Sequence, residues 1–187
     1  MLALLISGLF ATDPSVALVE VSSARTHAIL GEAAPRSERL ANLRNEIERV
    51  ADWAIMAQRS AGAEWQSMTE PERRRFIAAF SQLLISSHLS NLENMEAGPL
   101  PTIRAGERIS PEETWVDVVI PNRFFPLTVG FLVRNNRRIV DVRVPGFRLT
   151  EHFQETLRLS VQRWGRSGTL ERLEQKAAAA ERRLTAR

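Results

Sequence analysis

The side chains able to do chemistry are few and scattered. The 187 residues include three histidines, His27, His88 and His152, and no cysteine. A metal centre or a nucleophilic triad needs its members at short, face-sharing spacings. These histidines are separated by long stretches, and none has a carboxylate at a diagnostic offset. The lack of cysteine excludes disulfides, zinc–thiolate sites and thiol catalysis. Asp117 lies in a β-rich run beside Trp115 and Val119. On an apolar strand face such an aspartate can act as a general base, as in isomerases with a cone-shaped α+β fold. Strand alternation argues against this, because Thr114, Val116, Val118 and Ile120 inward leave Asp117 outward. Asp141, grouped with Arg143, is expected outward by the same rule. No phosphate loop, dinucleotide fingerprint or G-x-S-x-G elbow occurs. The expectation is a protein that is not an enzyme and uses neither cofactor nor metal.

What the chain has in quantity is apolar surface, and the elements that carry it follow from periodicity. Residues 14–30 read as a helix, with Val16, Val19, Ser23, Thr26 and Leu30 near one face and Gly31 as its stop. A second helix opens at Ser37 and sets Leu40, Leu43, Ile47 and Val50 at helical spacing. Residues 52–65 form a helix broken near Gly62. Thr69, Pro71 and Glu72 start another, with the spacing of a capping box. That helix carries Phe76, Phe80, Leu83 and Leu84, and Gly98, Pro99 and Pro101 end the helical half.

From Thr102 the period becomes two. Residues 102–109 and 114–120 read as strands. Leu127, Val129, Phe131 and Val133 share one face of the next, and Thr128, Gly130, Leu132 and Arg134 the other. Asn135-Asn136 suits a hairpin turn, since asparagine tolerates positive φ. Residues 138–144 then place Val140, Val142 and Val144 inward. Gly146 turns the chain into a helix over 152–173, and residues 177–187 are expected as a basic, alanine-rich tail, helical but frayed. The reading is an α+β domain over residues 14–176: N-terminal helices over a curved, about four-stranded antiparallel meander, then a C-terminal helix.

Charge adds little. Lysine and arginine number 25 against 22 acidic residues, a net of +3, and Lys176 is the only lysine. With acids and bases interspersed, no nucleic-acid partner is expected. Residues 1–11 (MLALLISGLFA) are uncharged and apolar. They are shorter than the roughly 20 residues a membrane span needs, but have the length of a signal-peptide core, without its basic start. Residues 1–13 are read as a signal peptide or its remnant, cut between 11 and 17, with Ser15-Val16-Ala17 as a passable site. Such a segment points to export.

Two stretches, in order, resemble the MlaC (toluene-tolerance) family of periplasmic phospholipid-binding proteins. The first runs through Asp52, Gly62-x-x-Trp65, then Thr69-x-Pro71-Glu72-x-Arg74 leading to Phe76, Ala79-Phe80 and Leu83-Leu84. The second runs from Val140-Asp141-Val142 through Gly146-Phe147-x-Leu149 to Gly168-x-Leu170-x-x-Leu173. Four positions depart from the pattern: Arg137 stands for tryptophan, Arg148 for serine, Gln154 for arginine and His88 for tyrosine. The resemblance implies acyl chains held in a cavity between sheet and helices. It also implies shuttling of phospholipid between an outer-membrane lipoprotein complex and an inner-membrane ABC transporter with an MCE-domain ring. Bound phospholipid is then cargo. On periodicity alone the apolar stripes read as core. On the family reading, Leu127, Val129, Phe131, Val133 and Val142 line the pocket from the sheet, and Phe76, Phe80 and Leu84 from the long helix. Trp53, Met56, Phe147, Leu149 and Phe153 complete it. The alternatives are an isomerase or dehydratase using Asp117, a hopanoid-related lipid binder, and a membrane-associated domain using the tail from Arg182.

Overall fold

The computed structural model describes residues 13–93, 99–121 and 125–186. The expected signal segment, residues 1–13, therefore lies outside the described residues but for Asp13. That residue caps α1 (Pro14–Gly31), its side chain accepting from the Ser15 N–H at 2.8 Å. The Ser15-Val16-Ala17 site falls in the first turn of this helix, where Ser15 is buried and donates to Asn136 Oδ1 at 2.6 Å. α2 (Arg36–Val50) follows Pro35 and buries Leu43, Glu46 and Val50. α3 (Trp53–Ala61) is capped by Asp52, which accepts from the Ile55 N–H at 3.0 Å. It stops at Gly62, whose φ of +55° and close cover by the Gln154 amide leave no room for a side chain. α4 (Glu64–Ser67) is one turn. The capping box then opens α5 (Glu70–Glu93) as read from sequence: Glu72 accepts from the Thr69 N–H at 2.7 Å and Thr69 Oγ1 accepts from the Glu72 N–H at 3.4 Å.

The sheet is an antiparallel meander in chain order: β1 (Thr102–Ser110), β2 (Glu113–Ile120), β3 (Leu127–Arg134), β4 (Arg138–Val144) and β5 (Phe147–Arg148). The short β5 is additional to the four expected strands. Asn135 and Asn136 both take positive φ between β3 and β4, as a tight hairpin requires. The β4 edge is not left open. Ala51 bridges Ile139 at one end, where the Asp52 N–H donates to the Ile139 carbonyl at 2.9 Å, and β5 pairs at the other.

The expected alternation in β4 is corrected by a bulge. Leu132 pairs with Asp141 but Val133 pairs with Ile139, so Val140 is an extra residue. Val140 therefore packs with Trp115 and Leu132 on one face, while Val142 packs with Phe131 and Val133 on the other. Asp141 lies on the face that alternation gives it but is not exposed there. It is fully buried, because the Trp115 face is itself covered, by Ile55 of α3 and by the β4–β5 turn region.

α6 (Leu149–Thr185) is longer than expected and broken at Gly165. The tail is helical as expected but not frayed. Ala177 and Leu184 are buried, Glu181 accepts from Arg44 at 2.8 Å and from Ser86 at 2.6 Å, and Arg36 donates to the Leu184 carbonyl at 2.6 Å. Leu184 closes a cluster with Leu43, Ile85, Leu89 and Leu92, so the last turns belong to the fold.

Candidate functional site

Antiparallel register fixes which side chains share a face. Leu127 pairs with Ile120, Val129 with Val118, Phe131 with Val116 and Val133 with Thr114; across the other ladder Phe131 pairs with Val142. These form one apolar wall, covered by Val16 and Val19 of α1 and by Val50. Exposure changes steadily along β3. Leu127 is 43% exposed, Val129 and Phe131 are half-buried, and Val133 is 0% exposed. The wall is thus packed shut at the Val133 end and opens toward the start of β3.

A second wall comes from the helices. Phe76 and Phe80 stack at 5.8 Å, Phe153 meets Phe80 edge-on at 5.1 Å, and Trp53 does so at 6.5 Å. Met56 is buried in the same cluster, with Leu84, Leu149 and Phe153 half-buried against it. Val142 touches both clusters and joins the two walls. Phe147, 39% exposed, continues the open end, its ring 4.9 Å from that of His152.

The residues expected to line the pocket are therefore brought into two adjoining walls, at three depths. Met56, Phe76, Phe80 and Val133 are deep. Trp53, Leu84, Val129, Phe131, Val142, Leu149 and Phe153 are intermediate, and Leu127 and Phe147 stand at the rim. Val116, Val118, Val16 and Val19 stand in the same apolar wall, where strand alternation and the α1 stripe put them. Two surface recesses, of about 360 Å³ around Gln58, Arg59, Trp65 and Arg134 and about 420 Å³ around Arg25, Asn45, Glu46 and Arg49, are lined by other residues. Trp53 Nε1 and Ser60 Oγ are buried without a hydrogen-bond partner.

The opposite face of the sheet is built from charge. The Arg143 guanidinium lies 4.2 Å from the Trp115 ring centroid and pairs with Asp117 at 3.3 Å; Arg148 lies 5.6 Å from the same ring. Asp117 thus faces away from the apolar wall and is engaged by a guanidinium, a poor position for a general base. Asp141 accepts from the Val142 N–H at 2.9 Å, the Thr150 N–H at 3.2 Å, Thr150 Oγ1 at 2.6 Å and Arg148 Nε at 2.7 Å. It fastens the first turn of α6 to β4. Arg148, a departure from the family pattern, is one of its partners, and Gln154 fills the space over Gly62. Arg137 and His88 are exposed. Among the described residues no group of histidine, aspartate and glutamate could hold a metal ion.

A family model described as "MlaC protein" matches residues 22–175. A phospholipid-binding protein from Ralstonia solanacearum, solved in complex with a phospholipid, superposes with a TM-score of 0.75. The two are 20% identical, and the match covers 89% of this chain and 98% of that one. The likeness is one of fold. No curated protein matches.

Proposed function

The chain belongs to the MlaC family, and from that premise we propose that it binds one phospholipid, with acyl chains between the two apolar walls and the head group at the rim. The graded exposure of β3 carries this reading. A strand whose inward apolar residues run from 43% exposed at Leu127 to 0% at Val133 offers a deep end that is already packed and a shallow end whose apolar surface is incompletely covered. Acyl chains would complete that cover.

Carriage follows from the same physics. Exposing a methylene costs roughly 0.8 kcal/mol, so two acyl chains of about thirty methylenes cannot cross water bare. Transfer from a bilayer into an apolar cleft is near-neutral, and a carrier needs no reactive group. The protein would act in the periplasm, reached through the N-terminal segment. It would take lipid between an outer-membrane lipoprotein complex and an inner-membrane MCE-domain ABC transporter. It would not be an enzyme: Asp117 lies on the wrong face.

Native mass spectrometry of protein purified from cells, followed by organic extraction, tests the binding step. The expected result is an added mass of phospholipid size, lost in Phe131→Asp while circular dichroism stays unchanged. A wild-type protein whose extract contains no phospholipid would overturn the reading.

A further inference from the structure

α6 is interrupted by Gly165, at φ +67° and ψ 174°, a combination open only to glycine. Thr169 Oγ1 donates to the Gly165 carbonyl at 2.7 Å and steadies the break. Leu157 and Val161 before it, and Leu170 and Leu173 after it, pack on one core, so both halves of the helix stay down. At the break stands Trp164, 38% exposed. Arg163 lies 4.9 Å and Arg172 4.2 Å from its ring centroid. Neither guanidinium has a hydrogen bond or ion pair among the described residues. The neighbouring acids are engaged elsewhere: Glu171 accepts from Ser167 at 3.3 Å, Glu72 pairs with Arg166 at 3.9 Å and Glu174 with Arg75 at 2.8 Å. Leu159, one turn before Arg163, is 51% exposed.

The geometry points to this surface as a docking site for the anionic head-group layer of a lipid bilayer. An indole is amphipathic and favours the depth of the head groups. Guanidinium groups match phosphate in a bidentate fork, and here they lack any carboxylate to leave. Two arginines and one tryptophan give reversible attachment, as a protein that must depart again requires. None of these residues lines the apolar walls, so the surface stands or falls independently of cargo binding.

Co-sedimentation of the full chain with phosphatidylcholine vesicles, with and without phosphatidylglycerol, tests it. Binding is expected only with phosphatidylglycerol and should fall as salt is raised. The double variant Arg163→Glu/Arg172→Glu should lower partitioning by about tenfold or more, with its thermal melt and copurifying lipid unchanged. Trp164→Ala should weaken it by a smaller factor. Wild-type protein that stays in the supernatant, partitions equally onto both vesicles, or is matched by the double variant would overturn the assignment.

Discussion

The two faces of the sheet solve the problem of closure differently. One is a wall of valine, isoleucine and phenylalanine held by non-directional contacts, and its cover can thin gradually from Val133 to Leu127. The other is closed by hydrogen bonds converging on Asp141 and by guanidinia over Trp115. A directional network has no half-open form, since lengthening one bond strands a buried polar group. The lesson is that the adaptable face is the one built without polar atoms. The polar face serves as the fixed frame that holds α6 against β4.

The sharpest way to break this contrast is Asp141→Ala. It leaves the Thr150 N–H, the Thr150 hydroxyl and the Val142 N–H without their acceptor, and should cost about 3 kcal/mol in urea unfolding. A loss under about 1 kcal/mol would show that the frame is not the polar network. Next comes the gradient itself. Val133→Ala at the packed end should cost roughly 2 kcal/mol. Val129→Ala at the half-open end should cost less than about 1 kcal/mol, yet still lower copurifying lipid. Equal stability losses at the two positions would remove the gradient.

The smallest effect concerns the cover of the apolar face. Burial alone would raise the Glu46 carboxyl, but hydrogen bonds from Arg49 and Ser22, with the charges of Arg49 and Arg25, hold it below the usual carboxylate range. A lowered folded-state pKa contributes stability above the unfolded value of about 4.3, which is lost as pH falls through the folded value. Acidification below pH of about 4 should therefore loosen the tie between α1 and α2. Glu46→Gln should flatten that part of the stability–pH curve in urea titrations. A curve unchanged by the substitution would place the acid sensitivity elsewhere.

The fold was legible wherever signals are local. Thr69 with Glu72, the break at Gly62, the Asn135-Asn136 turn and the alternation of β3 each name their conformation within a few residues. What was hidden depends on partners far along the chain. The bulge at Val140 exists only relative to β3, so strict alternation misassigned the face of that residue. Asp141 lies on the face that alternation gives it, and it is buried because Ile55 and the start of α6 cover that face. The last turns of α6 carry few large apolar side chains, and their burial depends on α2 and α5, distant in sequence. For the site, periodicity could name the wall residues. It could not give their depth, because that is set by where α1 and α6 lie across the sheet.

Lys176 lies exposed on α6, one helical turn beyond Arg172, and is the single lysine of the chain. An amine-reactive dye, the α-amino group aside, would find one side-chain target, beside the docking surface and off both apolar walls. A solvent-sensitive fluorophore attached there could report the approach of a vesicle in real time while cargo is followed separately by mass.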